Sequence, residues 1–123
     1  MELTFYDVTG RPIAYCEDGR HVYAFTGLPL AYLDGDSVFA FDGQHLGWWD
    51  RGWVRDHHGA WVFFTEIAAG VGLALPARRG APPKGIKNVP PPIASGRIKP
   101  VPFADGSGWS SRSGAQFFPS SPR

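Results

Sequence analysis

Apolar and polar residues alternate along the first 66 residues of the chain, in short runs separated by turns that contain glycine. A period of two residues is typical of β-strands that turn one face toward a core. Val, Phe, Tyr and Trp, which favour strands, are abundant in these runs. Gly and Pro interrupt every window that is long enough for a helix. The pattern therefore predicts an all-β fold.

The runs belong to one unit that occurs four times. The units read TFYDVTG-RPIAYCE, HVYAFTG-LPLAYLD, SVFAFDG-QHLGWWD and WVRDHHG-AWVFFTE. Their central glycines, which stand 17, 16 and 16 residues apart, are Gly10, Gly27, Gly43 and Gly59. A fixed period indicates one repeated piece of structure. Each unit predicts a β-hairpin whose turn needs the positive φ of glycine, and four hairpins predict a pseudo-four-fold ring or barrel.

The sequence alone leaves the hairpin register open, because a two-residue turn and a type I turn with a Gly bulge place different residues on one face. Asp7 and Asp56, three residues before the central glycine, favour the type I form. We expect six aliphatic residues of aligned positions to lie buried near the pseudo-symmetry axis. These are Val22, Leu30, Val38, Leu46, Val54 and Val62.

Charge divides the chain into two parts. Residues 1–66, the four-hairpin repeat module, carry ten acidic and four basic residues. Residues 67–123 carry eight basic residues and one acidic residue, and hold ten of the twelve prolines. This composition predicts an extended, Pro/Gly-rich basic tail. Opposite charges predict that the tail attracts the repeat module, either of the same chain or of a neighbour in a homo-oligomer.

Two interpretations of the tail remain. Residues 76–102 either form a disordered linker or dock on the repeat module through aliphatic side chains. The docking residues would be Ile86, Val89, Ile93, Ile98 and Val101. In the docked interpretation the far end is an aromatic anchor made by Trp109, Phe117 and Phe118, because burying large aromatic groups offsets the cost of ordering the chain.

The ordered combination of several motifs resembles a known family. The third unit reads GQHLGWW, the fourth reads GWVRDHHGAWVFFTE, a Pro/Lys/Ile-containing stretch KGIKNVPPPIASGRIKPVP follows, and WSSRSGAQFF comes near the end. In these features the chain is similar to the bacterial four-fold beta-flower proteins, over nearly its whole length. The resemblance implies a pseudo-four-fold arrangement of β-hairpins and no particular activity.

The fourth unit contains the one polar cluster of the repeat. Where the first three units have Val8, Phe25 and Phe41, the fourth has His57. Arg55 replaces an aromatic residue in the same way, and Asp56 lies between them. A single copy that departs from a symmetric scaffold is a candidate site. The alternative is that Asp56 only caps the turn and that the histidines are exposed at its tip.

Four tryptophans of the third and fourth units are further candidates for a ligand-binding surface, or else they fill the core. They are Trp48, Trp49, Trp53 and Trp61. No histidine or cysteine spacing matches a known zinc signature, and no nucleotide or cofactor motif occurs, so we expect no metal and no cofactor. The acidic balance of the module disfavours nucleic acid as its ligand.

The sequence leaves three hypotheses of function. The preferred one is a non-catalytic binding or scaffolding module that holds an apolar or aromatic ligand or a protein segment. The second is a small enzyme that uses an Asp/His acid–base cluster of the fourth hairpin, and the third is a purely structural homo-oligomer. One cysteine, no signal-peptide pattern and no long apolar stretch predict a cytoplasmic protein without a membrane span.

Overall fold

The computed structural model describes residues 2–68 and 75–93, Trp109, Phe117 and Phe118. Eight antiparallel strands form a closed barrel in which each strand pairs with its sequence neighbours and the last pairs with the first. The strands are β1 (Leu3–Tyr6), β2 (Pro12–Cys16), β3 (His21–Ala24), β4 (Pro29–Asp34), β5 (Ser37–Phe39), β6 (His45–Asp50), β7 (Trp53–Arg55) and β8 (Trp61–Phe64). The prediction of an all-β fold of four hairpins is confirmed.

The four hairpin turns share one conformation. In the first, Gly10 N donates to Asp7 O at 2.9 Å, and Asp7 N donates to Arg11 O at 2.9 Å. The same two bonds recur in the other three hairpins. The four central glycines have φ values of 80°, 98°, 95° and 79°. These are type I turns followed by a glycine bulge, as Asp7 and Asp56 indicated.

A second irregularity follows each turn and brings two consecutive side chains to the interior. Phe5 pairs with Ala14, but the next residue, Tyr6, pairs with Pro12, so that Ile13 is the extra residue of a bulge. The other three hairpins skip a residue at the equivalent place. Of the six aliphatic residues expected near the axis, five are buried and Leu30 is partly buried; all six belong to or pack against the interior cluster.

Aromatic residues of the fourth hairpin and of the C-terminal segment fill the barrel. Phe117 and Phe118 are buried beside Phe63, with ring centroids 5.6 Å away in both cases. The space left among these rings and the neighbouring aliphatic side chains is about 10 Å³. Phe117 and Phe118, two of the predicted anchors of the far end, thus lie in the core itself.

Outside the barrel, aromatic residues line the seams, by which we mean the contacts between neighbouring hairpins. Tyr15 stacks on Tyr23 at the first seam and Tyr32 on Phe39 at the second, with ring centroids 5.9 and 5.5 Å apart. The third seam pairs Trp48 with Arg55 instead of a second aromatic residue. The third seam is therefore the one that departs from the aromatic pattern.

The fourth seam closes the barrel between β8 and β1. One residue pair, Tyr6 and Phe64, joins the two strands there, and their stacked rings have centroids 5.3 Å apart. Thr4 N also donates to Glu66 Oε1 across this seam at 2.7 Å. Trp109 forms a parallel bridge to Trp61, next to the place where the β1–β8 pairing stops. The third predicted anchor, Trp109, thus lies beside this seam.

Residues 75–93 contact the barrel of the same chain through their backbone. Arg79 N donates to Gly10 O at 2.8 Å, and Asn88 N donates to Gly27 O at 2.9 Å. Lys84 Nζ lies 2.8 Å from Glu17 Oε2, and Lys87 also pairs with Glu17. The attraction between basic tail and acidic module is therefore present within one chain.

The aliphatic side chains of this segment do not pack on the barrel of the same chain. Ile86 and Val89 are 91% and 90% exposed, and Ile93 is only partly buried. The physical reason is that the backbone of the segment binds the turn glycines, which directs these side chains away from the barrel. Packing of these side chains on a neighbouring copy stays a prediction. Ile98 and Val101 lie outside the described residues. Within the described part of the chain, no helix is both long and apolar enough to cross a membrane.

Candidate functional site

A pocket of about 140 Å³ lies between the turns of the third and fourth hairpins. Its polar lining comes from the two turns and the start of β6, and its apolar lining comes from the two bulges and the C-terminal segment. The lining residues are Gln44, His45, Leu46, Asp56, His57, His58, Val62 and Phe117. The third seam, with its polar substitutions, therefore borders a concave surface.

His57 lines the pocket at a position where the second and third hairpins have a phenylalanine. The equivalent Phe25 and Phe41 contact Tyr15 and Tyr32, with ring centroids 5.2 and 5.6 Å apart. His57 keeps this contact with Trp48, at 5.4 Å. The substitution preserves the packing of the seam and adds two ring nitrogens at an exposed position.

A hydrogen-bonded chain runs from His57 into the barrel wall. His57 Nε2 lies 2.9 Å from His45 Nδ1, and His45 Nε2 lies 3.2 Å from Ser37 Oγ. Ser37 is 1% exposed and its hydroxyl donates to Asp36 Oδ1 at 3.5 Å. The chain thus joins an exposed imidazole to a buried hydroxyl through the buried His45.

The environment of His45 keeps its ring neutral. Burial lowers the pKa of His45, and the nearby His57 lowers it further, so that the pKa falls to about 4 although Asp36 acts in the opposite direction. The rings of Phe39 and Trp48, each with its centroid 5.1 Å from that of His45, form part of this apolar environment. A neutral imidazole has one N–H donor and one acceptor nitrogen, so its two contacts must be of opposite kind.

Asp56 has a structural role in the fourth turn. Its Oδ1 accepts hydrogen bonds from His58 N at 2.9 Å and from Ala60 N at 3.0 Å. Asp7 caps the first turn through Oδ1 in the same way, by bonds from Thr9 N and Arg11 N. The turn-capping interpretation therefore describes Asp56 correctly, although its side chain also lines the pocket.

Arg55 is 6% exposed and holds the fourth hairpin together. It donates through one terminal nitrogen to Gly59 O at 2.8 Å, and its Nε lies 3.5 Å from Asp50 Oδ2. Its guanidinium also lies 5.1 Å from the ring centroid of Trp61. Arg55 does not belong to the pocket lining, whereas its sequence neighbours Asp56 and His57 do.

The four candidate tryptophans are divided between the two sides of the barrel wall. Trp49 is partly buried on the interior side, with its ring centroid 6.0 Å from that of Phe5. Trp48, Trp53 and Trp61 are buried on the outer side. The ring of Trp109 lies 5.7 Å from that of Trp53, so a residue of the same chain occupies the Trp53–Trp61 surface. A ligand-binding role for these tryptophans stays a prediction.

The pocket and network residues that were not among the predicted site residues include Ser37, Gln44, His45 and Phe117. For His45 a signal existed, because the aligned positions of the first two hairpins hold Pro12 and Pro29. For Phe117 no signal existed, because its contact with the third and fourth hairpins depends on the path of the C-terminal segment. Ser37 stands in a run of β-type residues and gives no hint of its hydrogen bond.

Metal and thiol chemistry find no support among the described residues. No three His, Cys, Asp or Glu side chains within residues 2–68 and 75–93 are grouped so that they could hold a metal ion. Burial raises the pKa of the Cys16 thiol, which keeps it protonated and poorly nucleophilic.

The arrangement of four equivalent hairpins agrees with one comparison. A family model described as 4-fold beta flower protein matches residues 3–118. The chain belongs to the 4-fold beta flower protein family. The resemblance found in the sequence is thereby confirmed. No curated protein and no solved structure gives a match. The beta flower description names an architecture and no activity.

Proposed function

We propose that this protein is a non-catalytic binding module whose pocket at the third seam holds a small ligand with an apolar or aromatic body and a polar group. The observation that carries the proposal is the composition of the pocket. Leu46, Val62 and Phe117 offer an apolar surface, and histidine, amide and carboxylate groups border it. Ligand sites commonly combine an apolar lining with a few polar groups that fix orientation.

The size of the pocket limits the ligand. A volume of about 140 Å³ is close to that of an engineered cavity of about 150 Å³ that accepts benzene. A ligand that fits inside therefore has about one ring, and a larger molecule would insert one ring and leave the rest in solvent. In contrast, the space of about 10 Å³ within the barrel has room for about one water molecule at most.

Two reactive groups near the pocket are buried or already hydrogen-bonded, which favours binding over catalysis. Ser37, the hydroxyl next to His45, is almost completely buried and out of reach of a substrate. Asp56 Oδ1 is occupied by two backbone N–H groups of its own turn. The enzyme hypothesis would rest on the exposed rings of His57 and His58 as acid or base, since the hydroxyl in the network of His57 belongs to the buried Ser37.

The test is a titration with phenol, which has one ring and one hydroxyl, followed by the NMR signals of the histidine rings and backbone amides. We expect shifts centred on Gln44, His57 and Val62, with an affinity in the millimolar range that so few atoms allow. His57→Phe restores the residue type of Phe25 and Phe41, so it should keep the fold and abolish these shifts.

The matched control is His21→Gln, which removes a histidine of the second hairpin that does not line the pocket. This variant should bind phenol like the unmodified protein. Shifts that spread over unrelated surfaces, or that persist in His57→Phe, would contradict the proposed site.

A further inference from the structure

The hydrogen-bonded chain behind the pocket determines which kind of ligand group His57 can receive. This inference rests on the proposed function and specifies the chemistry of its ligand. The chain contains Asp36, Ser37, His45 and His57, joined by distances of 3.5, 3.2 and 2.9 Å in that order. Each member except the carboxylate can donate or accept, so the direction of the chain is set at its carboxylate end.

The direction follows from Asp36 in two steps. The single hydroxyl proton of Ser37 is donated to Asp36 Oδ1. Ser37 Oγ then accepts from His45, which places the proton of His45 on Nε2. His45 is neutral near pH 7, because its pKa is lowered to about 4 by burial and by His57. Its Nδ1 therefore carries no proton and accepts.

The acceptor on His45 fixes the tautomer of His57. Since His45 Nδ1 lies 2.9 Å from His57 Nε2, the proton of that bond has to come from His57 Nε2. In the neutral ring the other nitrogen, Nδ1, then has a free lone pair. His57 is exposed and lines the pocket, so Nδ1 is the polar atom of this ring that remains for a ligand.

We propose that the pocket selects ligands that present an N–H or O–H donor to Nδ1 of His57, over ligands of the same shape that can only accept. The neighbouring Asp56 carboxylate adds a further acceptor to the lining and no donor. An acceptor-only group placed at Nδ1 would meet its lone pair and be repelled, and its alternative partners in the lining are the N–H groups of Gln44 and His58.

Pyrrole and furan test the preference, because both are neutral five-membered rings of nearly equal size. Pyrrole offers an N–H donor, and furan offers only a weak acceptor oxygen. One hydrogen bond contributes enough free energy to make pyrrole bind about three- to tenfold more tightly than furan in an NMR titration of the full chain. Equal binding, or tighter binding of furan, would overturn the preference while leaving the proposed pocket intact. Binding of neither ring would overturn both.

The tautomer itself can be measured without a ligand, from the ¹⁵N shifts of the histidine rings above pH 7. We expect His57 to be protonated on Nε2 and His45 on Nε2 as well. Asp36→Ala removes the acceptor at the origin of the chain and frees the Ser37 hydroxyl to donate to His45. This variant should therefore reduce the share of the Nε2–H tautomer in His57, and Ser37→Ala should act in the same direction. A His57 ring protonated on Nδ1 in the unmodified protein would overturn the inference.

Discussion

At the scale of single residues, two glycines with similar positive φ values have different roles, because their neighbours differ. Gly19 and Gly27 both have positive φ, at 77° and 98°. A Cβ added at Gly19 would meet nothing within 4 Å, whereas one added at Gly27 would lie 1.9 Å from Ile86 O. Gly27 is thus required both for its turn and for the close approach of the backbone of residues 75–93.

This difference predicts unequal costs for the same substitution. Gly19→Ala should lower the free energy of unfolding by about 1–2 kcal/mol, because alanine is strained at positive φ. Gly27→Ala should cost more than this and should also release the segment around Asn88, whose N–H donates to Gly27 O. Urea unfolding of both variants measures the difference. Equal losses would show that the contact with Ile86 does not contribute to stability.

The buried His45 predicts how stability depends on pH. Its pKa is about 4 in the folded protein against 6.5 for an ordinary histidine, so between these values the unfolded chain binds more protons. The free energy of unfolding should therefore fall as pH drops from about 6.5 to about 4, by roughly 2–3 kcal/mol at most.

The control for this prediction is His45→Gln. The amide of glutamine can donate and accept hydrogen bonds as the imidazole does, but it cannot titrate. The unfolding free energy of this variant should vary less with pH over the same interval. Asp18, whose pKa is raised by burial but lowered more strongly by hydrogen bonds from His21 and Arg20, contributes only at lower pH. If the free energy of unfolding of His45→Gln fell with pH as steeply as that of the unmodified protein over this interval, the effect would belong to another group.

At the scale of elements, the segment 75–93 is attached to the first two hairpins by a few polar contacts. Glu17 pairs with both Lys84 and Lys87, and hydrogen bonds from these lysines lower the pKa of Glu17. The ammonium of Lys84 also lies 4.5 Å from the ring centroid of Tyr15. These groups are on the surface, so they govern local release of the segment more than global unfolding.

The contacts of Glu17 with the segment 75–93 should slow the cleavage of this segment by trypsin. Glu17→Gln should accelerate tryptic cleavage after Lys84 and Lys87, and added salt should accelerate cleavage of the unmodified protein because it screens the same pairs. Glu66→Gln is the matched control, since Glu66 accepts from Thr4 N and not from the tail. Equal cleavage rates for both variants would show that Glu17 does not hold the segment.

At the scale of the whole molecule, the sequence predicted the fold better than the site. The repeat and its glycines were enough for the four hairpins, because a fixed period and turn chemistry are local properties. The place of Trp109 beside the fourth seam and of Phe117 and Phe118 inside the barrel was anticipated only as an anchor. Their exact places depend on contacts between residues distant in sequence, which no periodicity records.

The candidate site, too, was predictable only where the signal is local in the sequence. His57 stood out because it breaks an aligned aromatic position, and the structure places it at the pocket. Its partners His45 and Ser37 lie 12 and 20 residues earlier in the chain and come together only through the pairing of hairpins. A homo-oligomer formed through the tail stays a prediction, which sedimentation of the full chain over a range of concentrations would check.

Polar residues that depart from the four-fold repeat line the proposed binding pocket at the third seam. A crystal structure of the protein soaked with phenol would show directly whether a ligand binds there. We expect phenol between the turns of the third and fourth hairpins, with its ring near Leu46 and Val62 and its hydroxyl within hydrogen-bond distance of His57. Phenol bound at another seam or inside the barrel, with this pocket empty, would contradict this expectation.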